Sequence, residues 1–299
     1  MKLLIVGTIA FDTIETPFGK NINALGGSAT YAALSASYFT DVKIISIIGN
    51  DFPEKHIRLF KAKDIDVSGI QIKTGKTFRW EGSYLKDLNS AQTIATHLNL
   101  LAEFDPKLTI DDKKSAFCLL ANNDPDLQLR IIKELISPKM IAADTIEFWI
   151  RHKRGKLLEV MRQVDMLIIN DSEAKLLAKE KNLIEAAKRL TAMGAKGLII
   201  KKGEHGLLLA HKNSLTLCSA YPVQRVCDPT GAGDSFAGGF LGFLASQKRL
   251  DAKAFKKALI YGTIMASYNV EGFDIKVLSK LNKRLIEKRC REFRRLIWV

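Results

Sequence analysis

Hydrophobic and polar positions along this chain keep two different periods in alternation. Short unbroken apolar runs rich in β-branched residues occur at LLIV (3–6), KIISII (43–48), FCLLA (117–121), MIAA (140–143), MLIIN (166–170) and GLIIK (197–201). Runs of this length with no polar alternation predict strands buried on both faces. Between them, apolar residues return every three or four positions. The segments GGSATYAALSASYF (26–39), DLQLRIIKELI (126–136), SEAKLLAKE (172–180) and LIEAAKRLTAMG (183–194) therefore predict helices. Strands that alternate with crossover helices predict βαβ units, a mainly parallel sheet and an α/β fold. Ligands of such folds bind beyond the carboxyl ends of the strands.

Two stretches break this rhythm. TIETPFGKNINALG (13–26) and GKTFRWEGSYLKDLNSAQTIATHLNL (75–100) alternate polar and apolar residues and carry turn residues. They predict short strands that interrupt the βα units and form a small β-sheet lid over the site. No Pro/Ser-rich linker and no internal repeat divides the chain, so the expected organisation is one domain over 1–299 with that lid.

Composition narrows the class. With 47% hydrophobic and 26% charged residues the chain can build an ordinary core, which excludes wholesale disorder. Cys118, Cys218, Cys227 and Cys290 lie far apart and form no CxxC pair, which argues against zinc and a disulfide framework and for reduced thiols. The opening MKLLIVG is too short for a signal-peptide core, and no apolar run approaches the roughly 18 residues of a membrane span. The expected location is the cytoplasm, with no membrane partner.

The net charge of +14 is concentrated at one end. Between Lys276 and Val299, nine Lys/Arg face two Glu, which accounts for half of the excess. Val277, Leu281 and Leu285, then Ile286, Cys290, Phe293 and Ile297, recur at helical spacing. This predicts an amphipathic helix with a basic, solvated outer face. A nucleic-acid partner is not expected, because no aromatic interleaving or binding motif accompanies the charge.

Two phosphate-binding patterns fail. GKT (75–77) lacks the first glycine of a Walker loop, since Ile70 stands there. The first strand is followed by GTIAFD and not by GxGxxG. DPTGAGDSFAGGF (228–240) is more informative. Gly231, Ala232 and Gly233 let backbone N–H groups approach an anion, and a helix starting near Asp234 would add its dipole. A carboxylate beside a phosphate site repels the ground state, so it calls for another purpose: accepting a proton from a hydroxyl held next to the phosphoryl group. The alternative is that Asp234 only caps the helix. Gly238–Gly239 inside a helix costs roughly 1 kcal/mol per glycine against alanine, which points to close packing or close ligand approach.

DPTGAGDSFAGGFL (228–241) resembles, position by position, the second signature of the ribokinase-like, or PfkB, carbohydrate kinase family. Further pieces follow in that family's order along most of the chain. GTIAFD (7–12) resembles its first strand turn, and LGGSATYAA (25–33) its GG-containing sugar-binding turn and helix. NDSEA (170–174) resembles its NxxE motif, and KKGEHG (201–206) the [TK]xGxxG turn that receives ATP. The resemblance implies a three-layer αβα sandwich with a small β-sheet lid, and an ATP-dependent kinase acting on the hydroxyl of a sugar or sugar-like acceptor. It implies that Asp234 is the general base and that the backbone of Gly231, Ala232 and Gly233 forms the anion hole. It implies that Asn170 and Glu173 organise Mg²⁺, through water, and the triphosphate. Lys202, Gly203, Glu204 and Gly206 would border the nucleotide, with Thr263 near the adenine. Asp228 and Thr230 match the positions that hold a monovalent cation, K⁺, in members that use one. Asp12, Gly26 and Gly27 would face the acceptor. A lid of this family can also serve as a homodimer interface.

The residues also admit plainer roles. Asp12, one short turn past a strand, can accept two hydroxyl hydrogen bonds or cap the turn. Glu173 can complete a helix start, and Gly203 with Gly206 can form a simple hairpin turn. The chain also departs from the family pattern. Tyr31 stands where many sugar kinases of this group carry an Asn that reads sugar hydroxyls. Asp144-Thr145-Ile146-Glu147-Phe148-Trp149 keeps the Asp of a DxNxR segment and lacks its Asn and Arg. These changes weaken a ribose or fructose assignment. Phe11, Tyr31, Phe78, Trp80 and Trp149 could together offer a base or ring a stacking surface, which makes a nucleoside kinase the second reading. A non-catalytic nucleotide-binding relative is the third.

Overall fold

β-branched runs that cannot lose side-chain freedom cheaply in a helix settle into a pleated sheet, and the segments between them return across its faces. The computed structural model describes residues 1–85, 87–89, 91–212 and 214–297. Lys86 and Ser90 of the expected lid, and Trp298 and Val299 of the expected basic helix, lie outside them. In chain order the strands are β1 (Leu3–Val6), β2 (Ala10–Thr16), β3 (Gly19–Gly26), β4 (Val42–Gly49), β5 (Ile65–Lys73), β6 (Phe78–Ser83), β7 (Gln92–His97), β8 (Phe117–Leu120), β9 (Met140–Asp144), β10 (Met166–Asn170), β11 (Gly197–Lys201), β12 (Leu207–His211) and β13 (Ser214–Cys218). The helices are α1 (Ser28–Ala36), α2 (Glu54–Ala62), α3 (Ile110–Lys113), α4 (Pro125–Glu134), α5 (Glu147–His152), α6 (Arg154–Gln163), α7 (Asp171–Ala178), α8 (Leu183–Ala192), α9 (Ala232–Ser246), α10 (Ala252–Asn269) and α11 (Lys283–Leu296).

Among the described residues the strands form two sheets. The larger has the order β13-β12-β11-β10-β9-β8-β1-β4-β5, parallel from β11 to β5, with β12 and β13 added antiparallel at one edge. Alternate residues of its strands feed two cores. Leu3, Ile5, Phe117 and Leu119 pack with α1, α9 and α10, whereas Leu4, Val6, Cys118 and Leu120 pack with α4, α6, α7 and α8. The result is a ribokinase-like three-layer αβα sandwich.

The smaller sheet has the order β3-β2-β6-β7. β2 pairs parallel with β6, and the other two pairs are antiparallel. It is built from an excursion between β1 and α1 and another after β5, close to the two stretches that broke the sequence rhythm. No helix among the described residues is long and apolar enough to cross a membrane.

The basic C-terminal segment differs from the single helix its spacing suggests. A 3₁₀ turn at Leu278–Lys280 and the N-cap Asn282 separate Val277 and Leu281 from α11. α11 buries Ile286, Cys290 and Phe293 and leaves Leu285 exposed.

The glycines inside α9 serve packing. A methyl group on Gly238 would overlap the carbonyl of Ala32, and one on Gly242 would stand 2.8 Å from the Ala36 Cα. α1 and α9 thus touch backbone to backbone, which fixes the N-terminal turn of α9 relative to α1 and β1. Gly238→Val is therefore expected to cost about 1–3 kcal/mol of stability through overpacking, although it removes a glycine from a helix. Denaturant unfolding checks this, and an unchanged or raised midpoint would contradict it.

Candidate active site

The loop before α9 is held by main-chain contacts. Cys227 and Asp228 both donate their N–H groups to the Val270 carbonyl, at 2.7 and 3.3 Å. Asp228 Oδ1 accepts the Thr230 N–H at 2.9 Å, and Asn269 Nδ2 donates to the Thr230 carbonyl at 2.7 Å. Gly231 follows as the N-cap of α9 with φ 73°, a left-handed turn that a side chain would strain. The Tyr31 ring also fills the space where a Cβ on Gly231 would lie.

No side chain caps α9. Asp234, expected at the loop end or the cap, is the third residue of the helix, so the capping alternative fails. The Ala232 N–H donates back to the Pro229 carbonyl at 3.1 Å. Of the expected three-residue anion hole, the Gly233 amide is left in the first turn without a helical partner, while the Asp234 amide faces its own carboxyl.

Asp234, itself half-buried, stands beside the buried carboxyls of Asp144 and Glu173. Lys201 ends β11 beside Asn170 at the end of β10, and its ammonium sits where a Cβ on Gly233 would point. Burial raises the Asp234 carboxyl above its ordinary value, and Lys201 opposes that rise. The Asp144 carboxyl, 4% exposed at the end of β9, lies close to that of Asp234, and its Oδ1 has no hydrogen-bond partner. Two carboxyls in such contact cannot both be ionised without cost, and burial, then the Asp234 charge, push Asp144 well above the usual carboxylate range. Glu173 completes the group. Burial raises it to about 7 against the pull of Lys201. It also makes a capping box with Asn170: Glu173 Oε2 accepts the Asn170 N–H, and Asn170 Oδ1 accepts the Glu173 N–H, both at 2.8 Å. The helix-start role and the position in the site coexist in one side chain.

On the other side of Gly231, Asp12 lies within strand β2 and not at a turn, with its carboxyl packed on the Cα of Gly26. Gly27, at φ 94°, leaves the strand toward α1 and has the Thr8 carbonyl where a side chain would go. Burial and then the charge of Asp228 raise Asp12 to about 8. Tyr31 is 1% exposed, and its hydroxyl has no partner. Trp80 is the lateral partner of Asp12 in the parallel β2–β6 pair, so it and Phe78 share the Asp12 face of the lid.

The five aromatics do not form one surface. Phe11 points away from Asp12 and packs on Phe52 at 5.5 Å, with the Arg79 guanidinium 5.0 Å from its ring. Trp149, on α5, donates its Nε1–H to Asn122 Oδ1 at 3.1 Å.

The turn of Lys202, Gly203, Glu204 and Gly206 joins the antiparallel pair β11–β12, with the Lys202 N–H bonded to the Gly206 carbonyl at 2.7 Å. It is a hairpin turn, as the plainer reading has it, at the edge of the Lys201 group. The Glu204 side chain is exposed. A Cβ on Gly206 would strike the Cys218 carbonyl, and the Cys218 thiol is 4.0 Å from Thr263 Oγ1, which brings Thr263 near this turn.

Among the described residues no three His, Cys, Asp or Glu side chains form a metal cluster. The buried Glu173 carboxyl suits a hard cation that keeps most of its waters. Sequence reading missed Lys201 as a site residue, although a charged residue closing the buried run GLIIK was a signal. It also missed Asn269, which holds the loop through the Thr230 carbonyl, a tertiary contact alone.

The pfkB family carbohydrate kinase pattern matches residues 16–273 of this chain. The cytidine kinase of Thermococcus kodakarensis is 29% identical over 252 residues, covering 81% of this chain and 87% of that protein. The ribokinase of Haemophilus influenzae is 26% identical over 271 residues, covering 86% and 84%. Among solved structures, the nucleoside kinase of Methanocaldococcus jannaschii superposes with a TM-score of 0.77 at 22% identity, covering 97% of this chain and 98% of that one.

The electrostatics of the site can be read directly. In a carbon-13 NMR titration of the ligand-free protein, the Asp12 and Glu173 carboxyls are expected to titrate at about 8 and about 7. Midpoints for both near their ordinary values of 3.8 and 4.5 would contradict this arrangement.

Proposed function

The chain belongs to the pfkB family of carbohydrate kinases, phosphotransferases with an alcohol acceptor, and from that premise we propose that Asp234 is its general base. The reaction moves the γ-phosphoryl of ATP to a hydroxyl of a sugar or sugar-like acceptor. The single observation that carries this reading is the position of Asp234: half-buried, in the first turn of an uncapped helix, beside a glycine loop and opposed by Lys201.

In that reading the acceptor hydroxyl loses its proton to the Asp234 carboxylate as its oxygen bonds to phosphorus. The bond from phosphorus to the bridging oxygen breaks, and ADP leaves with that electron pair. Lys201 and the first-turn amides of α9 face the charge on the transferring group, where preorganised donors act without reorganising. Asp144, as the protonated member of its pair with Asp234, orients the base. Asp12 hydrogen-bonds acceptor hydroxyls, with Gly26 leaving room for its carboxyl and Gly27 turning the chain into α1. Gly203, Gly206 and Thr263 border the nucleotide.

Mg²⁺ fits beside Glu173, held through water, and when bound it neutralises phosphate charge. A monovalent cation is the further proposal for Asp228 and Thr230, on the strength of the buried Asp228 carboxyl.

A nucleoside acceptor is the second reading. It is favoured by Trp80, which lies beside Asp12 on one face of the lid, and by the likeness to a cytidine kinase.

Asp234→Asn is expected to leave ATP affinity near normal while lowering turnover by about 10²–10⁴, the usual loss for a general base. Wild-type turnover should also fall as pH drops through an acid limb set above the ordinary carboxylate value of 3.8, because Asp234 accepts a proton only when ionised and its burial favours the protonated form. Steady-state kinetics across pH tests both, and wild-type-like turnover of the variant would remove Asp234 from this role.

A further inference from the structure

Tyr84 follows β6 in the lid and continues its pairing, with its N–H on the Glu15 carbonyl at 2.8 Å. Its side chain is 8% exposed. The phenol oxygen accepts a hydrogen bond from Thr230 Oγ1 at 3.3 Å. Thr230 cannot drift toward or away from that partner. Its N–H is bonded to Asp228, its carbonyl to Asn269, and Gly231 follows it directly as the N-cap of α9.

Two other lid residues meet the same loop. Thr16 Oγ1 donates to the Cys227 carbonyl at 3.0 Å, and the Arg225 guanidinium lies 4.6 Å from the centre of the Phe18 ring. Tyr84 differs from both because it reaches the residue that leads into the anion-facing turn. Burial, and beyond it the charges of Asp228, Asp12 and Asp234, hold its phenol above the ordinary range, although the Thr230 bond pulls the other way.

We propose that Tyr84 is a positioning residue that latches the lid to the Thr230–Gly231 turn, so that phosphoryl transfer proceeds with water shut out. The proposal rests on the kinase reading. It assigns the lid a second duty besides covering the acceptor: the Tyr84–Thr230 bond ties the sheet that carries Asp12 to the turn that positions Asp234. When that bond opens, water gains access to the phosphoryl group, and ATP hydrolysis competes with transfer.

The test measures phosphorylated acceptor against inorganic phosphate, with ATP, Mg²⁺ and either cytidine or ribose, for the wild type, Tyr84→Phe, Thr230→Val and the double variant. A single neutral hydrogen bond predicts a fall of about 3–10-fold in that ratio for Tyr84→Phe. The double variant should be no worse than the more impaired single variant. A purely structural role would instead lower the melting temperature and both rates together, leaving the ratio unchanged; that result overturns the latch. A wild-type protein that phosphorylates neither acceptor, nor any other alcohol in a wider panel, overturns the kinase reading itself.

Discussion

The left-handed turn at Gly231 is the constraint on which the site depends. It can form only where no side chain intrudes, and the Tyr31 ring occupies the space that a side chain would need. The turn aims α9 so that Asp234 enters the buried charges at the ends of β9, β10 and β11. The backbone contact between Gly238 and Ala32 holds that aim from behind, and Asn269 and Val270 hold the loop in front. A tilt of α9 would move the carboxylate and the first-turn amides together. The geometry therefore rests on helix packing as much as on the residues that face the substrates.

Charge balance is the second constraint. Lys201 faces Asp234, Glu173 and Asp144, so burial leaves some of these carboxyls protonated. The imbalance suits a site that must meet a polyphosphate together with cations: an excess of permanent positive charge would hold the product, and an excess of ionised carboxylates would repel the donor. Asp12 and Asp228, both raised first by burial, add two more carboxyls that bind protons more readily than an exposed one would.

Much of this was legible in the sequence because the signals were local. MLIIN and GLIIK are strands over the residues their pattern marked, and DPTGAGDSFAGGF opens a buried helix. The two stretches of broken rhythm form most of the smaller sheet, although its first strand starts earlier, at Ala10, because the pleat continues through Phe11 and Asp12. β5 escaped notice because its residues are only half buried and its pattern is mixed. The aromatic surface failed for a geometric reason: Phe11 and Asp12 are adjacent in one strand and must point to opposite faces. Tyr84 and Asn269 carried no signal, since their partners lie 146 and 39 residues away along the chain.

The central claim is that a half-buried carboxylate in the first turn of α9 takes the proton of an alcohol, so that the phosphoryl group of ATP passes to that alcohol and not to water. Phosphorus-31 NMR of the products, after incubation with ATP, Mg²⁺ and a panel of sugars and nucleosides, tests it most directly. The account predicts a phosphate monoester on an acceptor oxygen, formed in step with ADP. ADP and inorganic phosphate appearing at the same rate whether or not any acceptor is present would contradict it.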